Sequence, residues 1–240
     1  MNTNGATTKE FVEESGSTRA ARHFFRWYRN GPIRAGHSLL RSSLQAMMRH
    51  QQRVILRNGL KMELDLNRVV QHTIFWYDGD MEPQLSWAVR EFLPIGGTLI
   101  DCGANCGYIG LEARLHKHAR ILFVEPHPEL AAGIRRNVQL NGWEDFCQVI
   151  EAAASDRAGT TSLFICQEYD GSHSLLSDWW PHQGEAQQLA ESFEHTKIMT
   201  LRIDFEEIHF GECGVAVHQF AQRDQLDFDL LGFPLMQPPV

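Results

Sequence analysis

The 240-residue sequence has no apolar run that approaches the roughly 20 residues needed to cross a bilayer. Residues 1–16 are polar and lack the apolar stretch of a signal peptide, so we expect a cytoplasmic protein. The five cysteines include no C-x-x-C pair, and the two that lie four residues apart are followed by no second ligand pair at zinc-site spacing. We therefore expect buried thiols in a reducing compartment and no metal site.

Acidic residues are missing from a long basic segment near the N-terminus. No Asp or Glu occurs between Glu14 and Glu63, whereas nine arginines do. Residues 1–62 carry eleven Lys or Arg and three acidic residues, a net charge of +8. Residues 63–240 carry eleven Lys or Arg and twenty-seven acidic residues, a net charge of −16. A segment of this kind can bind nucleic acid, make peripheral contact with an anionic membrane surface, or dock as a helical arm on an acidic protein body. We favour an arm that is docked or simply solvated, and the acidic main domain argues against nucleic acid as the primary partner.

The pattern of apolar and turn residues predicts helices and a hairpin in the first third of the chain. Helices are expected over residues 18–28 and 33–48, where apolar residues recur at roughly helical spacing. The dipeptide Asn58-Gly59 separates two short apolar runs, which is a signal for a β-hairpin turn. We assign residues 1–59 to a basic N-terminal segment that is partly helical or disordered.

Residues 60–240 have the pattern of an α/β domain. A predicted helix over residues 82–92 is followed by short apolar strands that alternate with helices. The alternating elements are strand 98–101, helix 107–115, strand 120–125, helix 128–141 and strand 147–153. Such alternation is typical of a mostly parallel sheet covered by helices.

A glycine-containing loop follows the first strand of this alternation, in the run Asp101-Cys-Gly103-Ala-Asn105-Cys-Gly107. In an open α/β sheet, ligands bind beyond the carboxyl ends of the strands, near the point where the strand order reverses. Gly103 and Gly107 permit positive φ and a close approach of a ligand to the backbone, and the N–H groups of the next helix point at that ligand. We expect Gly110 to let this helix pack close to the sheet.

An acidic residue, Glu125, ends the next strand, twenty-four residues after Asp101. A carboxylate at this position accepts hydrogen bonds from both hydroxyls of a ribose, which S-adenosylmethionine (SAM) and NAD share. The loop sequence distinguishes SAM from NAD. A loop that binds a pyrophosphate needs G-x-G-x-x-G, and Asn105 stands where the second glycine is required. The zwitterionic methionine end of SAM suits this loop better, with Asp101 available to its ammonium group. We therefore predict SAM as the cofactor.

Three short runs resemble the FkbM family of SAM-dependent methyltransferases. They are Asp101-Cys-Gly-Ala-Asn-Cys-Gly-Tyr108, Phe123-Val-Glu-Pro-His-Pro128 and Asn137-Val-Gln-Leu-Asn141, and the match extends over roughly residues 60–210. Enzymes of this family have a Rossmann-like fold, and most are O-methyltransferases that act on sugars and natural-product hydroxyls. The resemblance implies the same fold here and O-methylation of a hydroxyl on a sugar, a glycolipid or a small natural product.

The resemblance also implies which residues hold the cofactor. Loop residues would line the methionine and sulfonium part of SAM, Glu125 would hold the ribose, and Pro126 and His127 would lie beside the adenine. Asp156 would lie near the adenine edge, unless it caps a turn beside Ser155. The implied loop residues are Asp101, Gly103, Ala104, Asn105, Gly107 and Tyr108.

The sequence departs from the family pattern near its C-terminal end. The family continues with a strand that ends in K-I-D-V-E-G-x-E and faces the methyl acceptor, whereas residues 226–231 match only the start of such a strand. We therefore expect a domain truncated at this end. Asp229, His173 and Glu206 are weak candidates for the base that takes the acceptor's proton, because each has more the character of a surface or turn residue.

Two alternatives to an active methyltransferase remain open. The chain can be a catalytically inactive relic or an interaction protein that keeps the fold, which the missing acceptor motif favours. It can also be an NAD-type oxidoreductase, although the absence of G-x-G-x-x-G argues against this. For an active enzyme, the expected partner is a small-molecule or glycan acceptor.

Overall fold

A computed structural model describes residues 14–31, 36–79, 82–155, 158–165, 194–202 and 215–219 of the chain. Within these ranges the helices are α1 (Gly16–Arg29), α2 (His37–Ala46), α3 (Val69–Tyr77), α4 (Pro83–Phe92), α5 (Tyr108–Lys117) and α6 (Pro128–Asn141). The strands are β1 (Gln51–Ile55), β2 (Lys61–Asp65), β3 (Thr98–Cys102), β4 (Arg120–Val124), β5 (Cys147–Ile150), β6 (Ala153–Ser155), β7 (Gly159–Ile165), β8 (Glu194–Arg202) and β9 (Val215–Gln219). No helix in these ranges is long and apolar enough to cross a membrane.

The central sheet consists of four parallel strands. Their order is β5-β4-β3-β9, and α5 and α6 are the helices that connect β3 to β4 and β4 to β5. Leu99 on β3 and Phe123 on β4 are at most 1% exposed and lie in the main core. The predicted α/β class with a mostly parallel, Rossmann-like sheet is therefore confirmed. The strand order reverses beside β3, which marks the edge at which ligands bind in open α/β sheets.

The predicted hairpin is formed by β1 and β2, which pair in antiparallel register. Its turn contains Asn58, whose side-chain oxygen accepts from the N–H of Leu60 at 3.1 Å, and Gly59 at φ 91°. A positive φ of this size favours glycine, which explains the Asn-Gly signal. The boundary expected between residues 59 and 60 falls inside this turn, so both strands of the hairpin lie on one structural unit.

Two asparagines of α6 attach the hairpin to the α/β body. The side-chain oxygen of Asn137 accepts from the N–H of Glu63 at 2.7 Å, and Asn141 binds both the N–H and the carbonyl of Lys61, at 3.1 and 2.7 Å. Backbone groups on a strand edge are costly to bury without partners, and these side chains take the place of another strand. The Asn-x-x-x-Asn spacing places both amides on one face of the helix. The third run of the FkbM resemblance therefore has a structural role here.

Helix α1 docks on the body of its own chain. Phe25 is 1% exposed and lies edge-on against Trp76, with ring centroids 5.1 Å apart. The buried guanidinium of Arg22 donates to Glu14 and to Asp78 at 2.5 Å each, and Arg26 also binds Asp78. Burial lowers the pKa of Arg22, and the charge of Glu14 opposes that shift. Part of the basic segment is thus the docked arm that the charge pattern favoured.

Several predicted boundaries need correction. The second helix is observed over His37–Ala46, and the expected start at residue 33 lies outside the described residues. The structure has two strands, β5 and β6, where one strand was predicted over residues 147–153. They belong to different sheets, because β5 pairs with β4 whereas β6 pairs with β8. Helix α3 was not predicted. Its buried residues include the i, i+4 pairs Val70 with Ile74 and Gln71 with Phe75, so the helical spacing is present in the sequence.

The fourth strand of the central sheet also differs from the expectation. The sequence pointed to residues 226–231 as the strand after the methyltransferase-like core, and these lie outside the described part of the chain. The structure places β9 beside β3, so an upstream run, Val215-Ala-Val-His-Gln219, occupies that position.

Replacing Asp78 by Asn tests how α1 is held. Asn tolerates the left-handed backbone of this residue, at φ 61°, but it removes the charge shared by Arg22 and Arg26. Because Arg22 is buried, we expect the free energy of unfolding to fall by about 3 kcal/mol in urea denaturation.

The control for this variant is Arg135→Gln. Arg135 and Glu151 form an ion pair at 3.3 Å whose side chains are 46% and 44% exposed. Exposed pairs contribute little, so this change should stay within about 0.5 kcal/mol of the wild type. An Asp78→Asn protein that unfolds at the wild-type midpoint would show that α1 is held by other contacts.

Candidate functional site

The glycine loop and the acid after the next strand lie side by side at the carboxyl edge of the central sheet. Residues 103–107 leave β3 and residues 125–127 leave β4, and the last residues of the two strands, Cys102 and Val124, are paired. The N–H of Gly103 donates to the carbonyl of Val124 at 2.8 Å, which joins the start of the loop to the neighbouring strand. The structure therefore brings together the two segments that the sequence singled out.

A single buried carboxylate connects these segments. Glu125 is 3% exposed; its Oε2 accepts from the N–H of Asn105 at 2.7 Å and its Oε1 accepts from the N–H of His127 at 2.8 Å. The backbone N–H of Glu125 donates to the carbonyl of Ile150 on β5 at 3.0 Å, which fixes the strand end. A carboxylate has roughly four acceptor positions, so these two bonds are compatible with further bonds from ligand hydroxyls.

The loop curls through three residues with left-handed backbone. They are Gly103 at φ 69°, Asn105 at φ 51° and Gly107 at φ 80°. The two glycines serve different purposes. A Cβ on Gly107 would lie 3.2 Å from Ile134 and 3.3 Å from Phe123, so this glycine allows the loop to pack closely on both side chains. No described atom lies within 4 Å of a Cβ built on Gly103. Gly103 is also exposed, so it is the loop position at which a ligand can approach the backbone.

Asp101 fixes the helix that follows the loop. Its side chain is buried, at 1% exposure, and its Oδ2 accepts from the N–H of Gly110 at 3.1 Å in the first turn of α5. An acidic group near a helix N-terminus interacts favourably with the helix dipole and with N–H groups that lack helical partners. Asp101 therefore has a structural role, and its proposed contact with a ligand ammonium group remains a prediction.

Gly110 lets α5 lie directly on β4. A Cβ on this residue would lie 2.3 Å from the Phe123 ring and 2.8 Å from Ile121, distances at which atoms overlap. The expectation that this glycine permits close packing of the helix on the sheet is confirmed. The packing also sets how far the N-terminus of α5 reaches toward the loop.

Tyr108, the first residue of α5, joins the site to the end of α3. Its side chain is buried, and its hydroxyl would lie 2.5 Å from a Cβ on Gly79, which has φ 92°. Gly79 follows Asp78, the residue that binds the arginines of α1. Tyr108 thus packs on a turn that the N-terminal arm also contacts. In the loop itself, Ala104 is buried, at 8% exposure.

His127 caps α6 beside Glu125. Its Nδ1 accepts from the N–H of Glu129 at 3.2 Å, which requires a proton on Nε2 when the ring is neutral. Burial lowers the pKa of His127, and the positive charge of Arg68 lowers it further. The imidazole is therefore neutral at neutral pH and offers an uncharged ring next to the buried acid. Pro126, between them, is half-buried.

The cysteines of the site are not suited to nucleophilic chemistry. Cys102 is 2% exposed, and burial followed by the charge of Asp101 raises its pKa to about 11. Cys106 is also buried, and both are free thiols. A thiol must ionise to act as a nucleophile, so Cys102 serves as a small apolar residue at the strand end.

The other predicted site residues fall outside the described part of the chain. They are Asp156, His173, Glu206 and Asp229. The end of β9 was not predicted from the sequence. There the backbones of His218 and Gln219 lie in register with Asp101 and Cys102. The sequence signal for this strand was a short apolar run after Gly214 that ends in two polar residues. Functional residues of parallel sheets lie at the carboxyl ends of such strands.

No protein-family model matches the chain, so the FkbM resemblance rests on the three sequence runs alone. None of the curated proteins matches it either.

Parts of the chain are similar to solved structures of methyltransferases and related enzymes. TYW2 of P. horikoshii, in complex with MeSAdo, is 17% identical to this chain with a TM-score of 0.35. The match covers 43% of this chain and 36% of that one. TYW2 of M. jannaschii, in complex with AdoMet, has 15% identity and a TM-score of 0.35, over 43% of each chain. An RNA methyltransferase from Salinibacter ruber, in complex with S-adenosyl-L-homocysteine, has 22% identity and a TM-score of 0.29, over 30% of this chain and 48% of that one. The chain therefore spans less than half the length of each of these structures.

The packing at Gly110 can be tested with two matched glycine substitutions. In Gly110→Ala the new methyl overlaps Phe123, so we expect the free energy of unfolding to fall by about 1–3 kcal/mol. Gly133 is also inside a helix, but the nearest atom to its Cβ is the end of the Arg136 side chain at 3.7 Å. Gly133→Ala should therefore stabilise the protein by about 0.5–1 kcal/mol in the same denaturation measurement. Equal effects of the two substitutions would contradict the packing described for α5.

Proposed function

We propose that this chain binds SAM at the loop between β3 and α5 and belongs to a SAM-dependent methyltransferase. The observation that carries the proposal is the position of Glu125. Its carboxylate lies at the end of the strand next to β3, where an acidic residue can accept hydrogen bonds from both hydroxyls of a ribose. It also orders the loop through the N–H of Asn105.

The hydrogen bonds of the loop favour SAM over a dinucleotide. A pyrophosphate is held by backbone N–H groups of the glycine loop. Here the N–H groups of Gly103 and Ala104 both donate to the Val124 carbonyl, at 2.8 and 3.4 Å, and that of Gly107 donates to the Ala104 carbonyl at 2.7 Å. The N–H of Asn105 donates to Glu125. These donors are used inside the protein, so the loop is a poor pyrophosphate cradle.

The charge of the site also favours a cofactor with a cationic end. The carboxyl groups of Asp101 and Glu125 lie beside the loop, and a pyrophosphate would bring negative charge close to both. SAM has an ammonium group and a sulfonium centre, and acidic neighbours stabilise both.

Each residue of the site has a proposed role toward the cofactor. The open backbone at Gly103 would admit the methionine end, and Glu125 would accept from the ribose hydroxyls. The neutral ring of His127, with Pro126, would lie beside the adenine, which stacks on uncharged surfaces. Asp156 is proposed for the adenine edge from the family resemblance.

Bound SAM would supply an activated methyl group: the acceptor oxygen bonds to the methyl carbon as its bond to sulfur breaks, and S-adenosyl-L-homocysteine is the leaving group. The contribution of the chain is to hold the acceptor in line with that methyl and to remove its proton, which are effects of proximity and base catalysis. We propose a hydroxyl on a sugar, a glycolipid or a small natural product as the acceptor, on the resemblance of three runs to the FkbM family. Asp229, His173 and Glu206 remain the proposed candidates for the base.

A second candidate function is a non-catalytic protein that keeps the cofactor fold. The end of β9 favours this alternative. β9 ends in His218-Gln219, whereas the acceptor strand of the FkbM family ends in acidic residues. Such a protein would bind SAM and transfer no methyl group.

Calorimetric titration with SAM and with its demethylated product tests the cofactor. We expect dissociation constants of about 1–100 μM and, for Glu125→Gln, binding weakened about tenfold or more, because an amide NH₂ cannot accept from a backbone N–H or a ribose hydroxyl. Glu144→Gln removes an exposed acid in the turn after α6 and should bind like the wild type. Thermal unfolding of both variants separates lost binding from lost folding. Absence of heat with both ligands, or competition by NADH at equal concentration, would contradict SAM as the cofactor.

Methyl transfer needs a separate measurement. Incubating the chain with SAM labelled in the methyl group and with fractionated glycans, glycolipids and small hydroxylated metabolites should label one of these fractions. Binding of SAM without labelling of any fraction would favour the non-catalytic alternative.

A further inference from the structure

The acid-free basic segment exposes large apolar side chains. The most exposed of these among the described residues are Met47 at 85%, Ile95 at 78%, Leu39 at 76% and Trp27 at 72%. Three of the four lie between residues 15 and 62, which contain no acidic residue. Single exposed apolar residues are common, but their coincidence with a segment of one charge sign requires an explanation.

Helix α1 has two faces with different surroundings. One face is docked on the body through the buried residues Arg22 and Phe25. The opposite face carries Ala20, His23, Phe24 and Trp27, all exposed and at the i, i+3, i+4, i+7 spacing of one helical stripe. We call this stripe the outer face of α1. Docking therefore leaves an aromatic stripe directed away from the protein.

The aromatic rings of the outer face pack on one another. Phe24 and Trp27 are stacked with ring centroids 5.9 Å apart, and Phe24 and Tyr28 are stacked at 6.5 Å. Phe24 is 47% exposed, so the cluster offers apolar surface to a partner while the rings hold each other in place. An exposed cluster of this kind has a low conformational cost on binding, because its side chains are already ordered.

Positive charge is present in the same segment as this cluster. Helix α1 contains Arg19, Arg22, Arg26 and Arg29 and no acidic residue. Arg22 and Arg26 bind Asp78, and Arg19 is exposed on the helix next to the aromatic stripe. Arg49 and Arg57 are also exposed, elsewhere in the segment. The segment thus presents arginines at the surface.

We propose that the outer face of α1 binds an anionic membrane surface, with Phe24 and Trp27 inserted at the level of the lipid headgroups. Helices that lie in a bilayer interface combine aromatic and apolar side chains with Lys or Arg that bind anionic lipids. α2 is in contact with α1, and Leu39 in α2 and Met47 at its C-cap are also exposed. The proposal does not depend on the cofactor and goes beyond the proposed function.

The details of the cluster favour lipid over nucleic acid. Leu39 and Met47 have no π-face, so they contribute apolar area that suits acyl chains and glycerol backbones rather than bases. The acidic remainder of the chain would also repel a polyanion that extends beyond α1, whereas a membrane contacts only the surface that faces it.

Co-sedimentation of the full chain with phospholipid vesicles tests this surface. We expect binding to vesicles of phosphatidylcholine with about one third phosphatidylglycerol, and at least tenfold weaker binding to pure phosphatidylcholine, because each arginine near an anionic surface adds to the attraction. Raising the salt from about 0.05 M to about 0.5 M should release most of the protein. Phe24→Ser combined with Trp27→Ser should weaken binding to the anionic vesicles about tenfold or more.

Helix α4 supplies a matched control. Trp87 and Phe92 are each 48% exposed and lie with ring centroids 5.6 Å apart, so they form a similar aromatic pair outside the acid-free segment. Trp87→Ser combined with Phe92→Ser should leave vesicle binding unchanged. The thermal midpoint of each double variant, compared with the wild type, shows whether the fold is kept.

Three results would overturn the proposal. The first is no binding to anionic vesicles, and the second is equal loss of binding in the α1 and α4 double variants. The third is retention on single-stranded RNA that depends on Phe24 and Trp27 when vesicles are not bound, which would assign the outer face to nucleic acid.

Discussion

A carboxyl group removed from water needs hydrogen-bond donors, and Glu125 finds them in the backbone N–H groups of Asn105 and His127. These two bonds tie the loop after β3 to the segment after β4. They also account for the left-handed backbone of Asn105, because that conformation is stabilised by the bond to the carboxylate. The shape of the site therefore depends on one side chain at the end of one strand.

The supports of this site come from distant parts of the chain. Asp101 fixes the first turn of α5, Gly110 seats that helix on β4, and Tyr108 packs on Gly79 at the end of α3. Asp78, next to Gly79, holds the arginines of α1. The N-terminal arm and the loop thus meet at one turn.

The sequence predicted the elements whose signals are local. Helix α6 has the predicted bounds, and the hairpin turn at Asn58-Gly59, the loop and Glu125 lie where short-range chemistry indicated. It did not predict α3, which packs on α1 and β2, nor β9, whose place beside β3 is a long-range pairing. The structural role of Asn137 and Asn141 was also hidden, because their partners on β2 lie more than 70 residues away in sequence.

Hydrogen exchange of individual amides measures most directly whether Glu125 organises the loop. In the wild-type protein the amides of Asn105 and His127 should exchange far more slowly than exposed loop amides, since both donate to a buried carboxylate. In Glu125→Ala, which removes both acceptor oxygens, both should lose most of this protection, while the Gly110 amide, bound to Asp101, keeps its own. Unchanged protection of Asn105 and His127 in the variant, or free exchange of both in the wild type, would contradict the central role of this carboxylate.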